Sequence, residues 1–257
     1  MSTLSSSVRA SPAADGRSDV LLTVRNLVKH FGGVTAVNDV SFDVRRGEIL
    51  ALVGPNGAGK TTLFGLICGF IEQDSGEVCF DGADISGLAP HVIAKRGMVR
   101  SFQIVQIFPD LTVHETVVAA AMLHHPLPAA RRLADELLVE LDLAAKRNDL
   151  ATSLPIQSRK RLELAKCVAT QPKLIILDEV MAGLTLAEAE IPIAAIRKLR
   201  DRGITFLMVE HVMPVVLQLA DRMLVLNFGE MIMEGTPQQV MAHPDVQEAY
   251  LGESLDA

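Results

Sequence analysis

The stretch GPNGAGKT, residues 54–61, lies between an unbroken apolar run, Ile49–Val53, and a segment with helical spacing, KTTLFGLICGF. A run of that kind reads as a strand buried on both faces. A glycine-rich turn between such a strand and a helix fits the pattern G-x-x-x-x-G-K-[ST] in its required context. Glycine takes positive φ freely, so the backbone can wrap closely around an anion. The helix N-terminus then adds partial positive charge. Gly54, Pro55, Asn56, Gly57, Ala58, Gly59, Lys60, Thr61 and Thr62 are therefore the candidate phosphate-binding residues. Lys60 is expected to neutralise the β- and γ-phosphates, and the Thr61 hydroxyl to ligate Mg²⁺.

A second apolar run, KLIILDE, ends in Asp178 and Glu179. Its geometry places carboxylates at the C-terminal edge of a sheet, where open α/β folds bind ligands. Asp178 is expected to hold Mg²⁺ through water. Glu179, one residue on, is placed to orient or deprotonate an attacking water.

From about residue 20 the runs VLLTVRNLVKHF and VNDVSFDVRRGEILALVG predict strands, and SGEVCFDGADI predicts a hairpin turning at Asp81 and Gly82. Between about 107 and 168 the character changes. Thr112 stands three residues before Glu115, a capping pair, and PAARRLADELLVELDLAAKRN repeats apolar residues at helical spacing. Strand-like runs return at KLIILDE, ITFLMVE and RMLVLNFGEMIMEG, with the helical AEAEIPIAAIRKLRDRG between the first two. Strand and helix in alternation predict an α/β layer with a parallel sheet. The first 18 residues carry no apolar stretch of the secretory kind and read as a disordered tail.

Composition narrows the partners. A net charge of −7 argues against a broad basic face and so against nucleic acid. No apolar run approaches the ~20 residues that span a bilayer, so the chain reads as soluble or peripheral. Yet 49% of its residues are hydrophobic, which points to a surface covered by a partner. Cys68, Cys79 and Cys167 form no C-x-x-C pair and read as buried thiols in a reducing compartment.

Taken together, residues from about 20 to 252 resemble the nucleotide-binding subunit of ABC transporters. That resemblance implies a P-loop NTPase core, with a RecA-like parallel sheet and an N-terminal antiparallel β-subdomain over residues 19–103 and 169–257. It also implies an inserted helical subdomain over 104–168, and ATP with Mg²⁺ as ligands. Phe31, ahead of GGVTAVNDVSF, matches the aromatic that stacks on adenine. Gln103 in VRSFQ matches the glutamine that senses Mg²⁺ and contacts the membrane domain. His211 in FLMVEHV matches the switch histidine at the γ-phosphate. Glu179, His211, Gln103 and Lys60 form the implied catalytic set, and Thr61, Gln103 and Asp178 the metal set. The segments DGADISGLAPHVIAKRGMVRSFQ, FPDLTVHETV and HPDVQEAYLGE are similar to ATPases of branched-chain amino acid uptake. A related lipopolysaccharide-export group shares part of this wording. The implied partners are membrane permease subunits, a second ATPase subunit in a hetero- or homodimer, and a substrate-binding protein acting through the permease. The implied place is the cytoplasmic face of the membrane. A non-transport ATP-binding regulator is the competing class.

One family position departs from the pattern. The signature L-S-G-G-Q aligns without a gap to Leu154, Pro155, Ile156, Gln157 and Ser158. In the family this stretch binds the γ-phosphate held by the opposite subunit. Pro155 offers neither hydroxyl nor N–H, and Gln157 puts a side chain where backbone approaches phosphate. Arg159 is a candidate replacement contact. Val180 stands for the usual proline after the acidic pair, and Thr185 for an Asn or Asp in the loop that crosses the dimer.

Overall fold

A computed structural model describes residues 19–101 and 108–251. Gln103 and the 18-residue N-terminal tail lie outside the described residues. The chain opens with β1 (Val20–Phe31), β2 (Val34–Arg45) and β3 (Ile49–Val53), followed by α1 (Lys60–Ile67). Next come β4 (Ser75–Phe80), β5 (Ala83–Asp84), α2 (Pro90–Lys95) and β6 (Met98–Arg100). Three helices follow, α3 (Val113–Ala121), α4 (Leu127–Glu140) and α5 (Ile156–Ala169). The chain then alternates through β7 (Leu174–Asp178), α6 (Leu186–Asp201), β8 (Thr205–Val209) and α7 (Met213–Leu219). It closes with β9 (Arg222–Asn227), β10 (Glu230–Gly235), α8 (Pro237–Met241) and α9 (Pro244–Leu251).

The strands form two sheets. One is antiparallel, in the order β2-β1-β4-β5. The other runs β10-β9-β3-β8-β7-β6, parallel from β9 to β6 with β10 antiparallel at one edge. This is the α/β fold that the alternation of runs predicts. Strand β3 is buried along its whole length because it lies inside the second sheet and is covered on both faces. Its side chains alternate between two cores. Leu50 and Leu52 join a core shared with the antiparallel sheet and α1, while Ile49, Ala51 and Val53 join one that reaches α3, α4 and α5.

Local chemistry sets the turns. Asp81 and Gly82 take φ of 51° and 78°, and the β4–β5 hairpin turns there as the sequence predicts. The Thr112–Glu115 pair forms a reciprocal capping box at the start of α3. The helical spacing after residue 128 overreaches. Asp142 enters the left-handed region at φ 53°, and the Leu143 amide turns back to donate to the Leu138 carbonyl at 2.8 Å. That closure ends α4 at Glu140, short of the predicted run. Of the cysteines, Cys68 and Cys167 are buried and Cys79 only half-buried. Burial pushes the two buried thiols up to about 12, so they stay protonated and inert. Among the described residues no helix is long and apolar enough to cross a membrane.

Phe64 is fully buried in the core that joins the two sheets to α1. Phe64→Ala is predicted to lower the unfolding free energy by about 3–5 kcal/mol. Urea denaturation of both chains checks this, and a loss under about 1 kcal/mol would mean that the core there collapses around the gap.

Candidate active site

The strand order sets four connections side by side at one edge of the parallel sheet: those after β9, β3, β8 and β7. The loop after β3 is pressed against its neighbours. Gly54, at φ 153°, leaves no room for a side chain, since a Cβ there would lie 2.0 Å from the Leu226 carbonyl oxygen. Gly59, at φ 102°, would place a Cβ 2.2 Å from the Ala36 carbonyl oxygen. These two glycines therefore serve close backbone approach as well as loop shape. Lys60 opens α1 and is only 7% exposed, with its ammonium donating to the carbonyls of Gly54 at 2.6 Å and Pro55 at 2.8 Å.

A cleft of about 330 Å³ opens over this loop. Asn56, Gly57, Ala58, Gly59, Lys60, Thr61 and Thr62 line it, together with Glu179, His211, Val34, Thr35, Ala36 and Phe228. Gly54 and Pro55 belong to the loop but not to the lining.

The acidic side is built from the ends of β7 and β8. Asp178, mostly buried, is held through Oδ2 by the Arg100 guanidinium at 2.5 Å, and its amide donates to Ser101 Oγ at 3.1 Å. Glu179 sits in the left-handed region at φ 49°, uncommon for a non-glycine residue. Its amide donates to the Val209 carbonyl at 3.0 Å, and its Oε1 lies 2.9 Å from His211 Nε2. With the ring proton on Nε2, the imidazole donates to the carboxylate. Beneath this pair lies Glu210, 2% exposed, which accepts from the Met181 amide at 2.8 Å through Oε1 while Oε2 has no partner. Burial pushes its carboxyl up to about 7, against the opposing pull of the Met181 amide and the nearby Lys160 charge. Lys160 is itself buried, which lowers its pKa, and it donates to the Ala182 carbonyl.

The loop residues, Glu179 and His211 thus converge on one cleft, with Asp178 adjoining. Phe31 does not line it. That ring is 49% exposed at the tip of the β1–β2 hairpin, opposite Val34, with the Lys29 ammonium 5.5 Å from its centroid. Sequence reasoning missed Arg100, Glu210 and Phe228. The step from an apolar strand into Glu-His was a readable signal for a buried carboxylate, and Asn-Phe-Gly for an aromatic at a hairpin turn.

Comparison with known proteins places this geometry. The family profile described as ABC transporter matches residues 37–182, more than half of the chain. The chain belongs to the ABC transporter ATP-binding family. It is an ATPase of the kind coupled to transport. A second profile, the branched-chain amino acid ATP-binding cassette transporter, matches residues 230–256 of the cassette. The cassette is 38% identical to the high-affinity branched-chain amino acid transport ATP-binding protein BraF of Pseudomonas aeruginosa, over 91% of this chain and 98% of that protein. It is 39% identical to the lipopolysaccharide export system ATP-binding protein LptB of Haemophilus influenzae, over 91% and 98%. Its fold superposes on the crystal structure of the ADP conformation of MJ1267, an ATP-binding cassette of an ABC transporter. The TM-score is 0.83 at 31% identity, covering 92% of this chain and all of that one.

The aberrant signature of this ABC ATPase has its own local structure. Pro155 is the residue before α5, with φ −58° and ψ 157°, and no side chain caps the helix. The Gln157 amide is turned aside to Glu188 Oε1 at 2.7 Å. Arg159 folds back onto the carbonyls of Leu154 and Thr152, so it serves the loop before the helix. Thr185 caps α6 in a box with Glu188, and Val180 is buried.

Glu210 gives a pH signature of known sign. Its folded-state pKa, about 7, lies above the ordinary 4.5, so the folded chain binds the extra proton between those values. Its contribution is most favourable below 4.5 and is lost as pH rises through about 7. Between pH 5.5 and 8 the unmodified chain is predicted to lose on the order of 2 kcal/mol more stability than Glu210→Gln. Denaturant titrations at the two pH values test this, and parallel losses would remove Glu210 as the source.

Proposed function

We propose that this chain is the ATP-hydrolysing subunit of an importer for branched-chain amino acids or related small polar solutes. In this reading it works at the cytoplasmic face of the membrane with permease subunits, a substrate-binding protein acting through them, and a second ATPase subunit. The observation that carries the enzymatic part is the meeting of Lys60, Thr61, Glu179 and His211 around one cleft. The cargo class is supported by the profile matched over residues 230–256 and by the likeness to BraF. The likeness to LptB supports a second reading, lipopolysaccharide export, which that C-terminal profile disfavours.

In the proposed mechanism Lys60 neutralises the β- and γ-phosphates while backbone N–H groups of the loop hold them. The donors suit Mg²⁺, a hard cation bound by one or two carboxylates, hydroxyls, water and phosphate oxygens. Thr61 offers a hydroxyl, and Asp178 a carboxylate with one oxygen committed to Arg100. Mg²⁺ held there supplies charge neutralisation at the phosphate oxygens. Glu179 orients the attacking water and takes its proton, and His211 fixes the direction of that carboxylate through the 2.9 Å contact. The family resemblance assigns adenine stacking to Phe31, which stands outside the cleft lining here, and assigns Gln103 to sensing the metal and contacting the permease. An apolar groove of about 330 Å³ between α2, β6, α3 and α5, lined by Phe70, Ile93, Met98 and Ala120, is offered as the permease seat.

The aberrant signature makes the reading asymmetric. This chain's own cleft keeps its hydrolytic groups, whereas the site it would complete on its partner lacks the hydroxyl and the N–H that Pro155 cannot offer, and carries the Gln157 side chain where backbone would approach phosphate. Charged hydrogen bonds of about 1.5–3 kcal/mol each are missing there, which weakens closure by about tenfold to several hundredfold. Purified alone, the chain is predicted to turn over slowly, and faster by at least tenfold once paired with an ATPase subunit bearing an intact signature. Equal rates in steady-state phosphate release would refute the need for such a partner.

Glu179→Gln is predicted to retain ATP affinity within about threefold and to slow hydrolysis by about 10²-fold or more. Calorimetry paired with phosphate release checks both halves, and unchanged turnover would take Glu179 out of the role.

A further inference from the structure

Among the large hydrophobic side chains exposed in the described structure, Phe228 stands out at 84% exposure. It occupies the turn between β9 and β10, with φ 45°, followed by Gly229 at φ 80°. That pair of positive φ angles is the conformation in which Asn or Asp normally precedes glycine. The β4–β5 hairpin of this chain obeys the rule with Asp81 and Gly82. Phe228 breaks it with a bulky aromatic that gains no burial from the fold. A strained, solvent-facing ring is a poor choice for local stability, which points to a binding role.

The turn is registered on the phosphate loop. Gly229 donates its amide to the Ala58 carbonyl at 2.9 Å, and its own carbonyl accepts from the Asn38 amide at 2.8 Å. Asn38 Nδ2 also reaches Glu230 Oε1 at 2.7 Å. Strand order then fixes which side of the loop the ring occupies. The sheet runs β9, β3, β8, β7, so Glu179 and His211 flank the loop on the β8 and β7 side and Phe228 flanks it on the β9 side. The hydrolytic groups must face the terminal phosphate, which leaves the β9 side for ribose and base. Val34, Thr35 and Phe228 line the cleft there.

We propose that Phe228 is a second aromatic contact for the purine base of the bound nucleotide, on the wall of the cleft away from Glu179. The inference rests on the nucleotide reading of this cleft. An aromatic face stacks on any base, so it contributes affinity for the nucleoside end and none for the phosphates.

The test is calorimetric titration of the full chain, in Mg²⁺, with ADP, GDP and inorganic tripolyphosphate. Phe228→Ala is expected to weaken ADP and GDP alike by about tenfold or more, and to leave tripolyphosphate within about twofold. Phe228→Tyr, which keeps the aromatic face, is expected to restore ADP to within about threefold. Unchanged ADP affinity in Phe228→Ala would overturn the proposal and leave the ring to a protein partner. Equal losses for ADP and tripolyphosphate would also overturn it, because the turn would then act through the phosphate loop. If the unmodified chain bound tripolyphosphate but Lys60→Ala did not, the phosphate site would stand whatever Phe228 does. If the unmodified chain bound neither probe, the nucleotide reading would fall and the proposal with it.

Discussion

Everything in the site depends on the close seating of one loop between two strands of different origin. The would-be Cβ positions of Gly54 and Gly59 are filled by the carbonyl oxygens of Leu226, at the end of β9, and Ala36, on β2. The loop therefore touches both sheets, and β3, which delivers it, is buried on both faces. Its shape is set by covalent neighbours and packing before any anion arrives. Donors fixed in advance cost no reorganisation when charge develops, which is where such sites gain their catalytic effect. A side chain at either glycine would break that contact with backbone atoms, which have no rotamer to escape into.

The opposite side of the cleft is organised by charge. Three carboxylates crowd the ends of β7 and β8, and each has a specific restraint. Asp178 is paired with Arg100, Glu179 lies against His211, and Glu210 holds the Met181 amide. Glu210 pays for its burial with a raised pKa and one unpartnered oxygen. What it supplies is an anchor for the turn just after Glu179. Lys160 anchors the same turn from α5 through the Ala182 carbonyl. A left-handed Glu179 persists because the residues that follow it are held from two directions.

The fold was legible wherever the sequence carries a local period or a turn with its own chemistry. The apolar runs of β3, β7 and β8, the Asp81-Gly82 turn and the Thr112 cap all fall where pattern and capping rules put them. The extent of α4 was not legible, because Asp142 stops the helix through a left-handed turn while the apolar spacing continues. The phosphate loop, Glu179 and His211 were readable by motif. Arg100 was not, and Glu210 and Phe228 carried only the local signals Glu-His and Asn-Phe-Gly, since what each of the three meets is set by juxtaposition. Arg100 ends β6 and meets Asp178 only because β6 and β7 are neighbours in the sheet. Phe228 meets the loop only because β9 lies beside β3.

The segment opening α5 departs from the family pattern without disturbing the fold. The Gln157 side-chain amide is absorbed by Glu188, the residue that also closes the capping box of α6 with Thr185. Arg159 satisfies two carbonyls of the preceding loop, and Ser158 Oγ accepts from Lys146 at 3.0 Å. The polar side chains opening α5 thus bond within the chain. With Lys160 and Gln157 both reaching toward residues 182–188, α5 is joined to the segment that follows Glu179. Because α3 and α4 share a core with α5, these bonds tie the helical layer to the turn that follows Glu179. Close-packed elements of this kind pass strain along and do not absorb it.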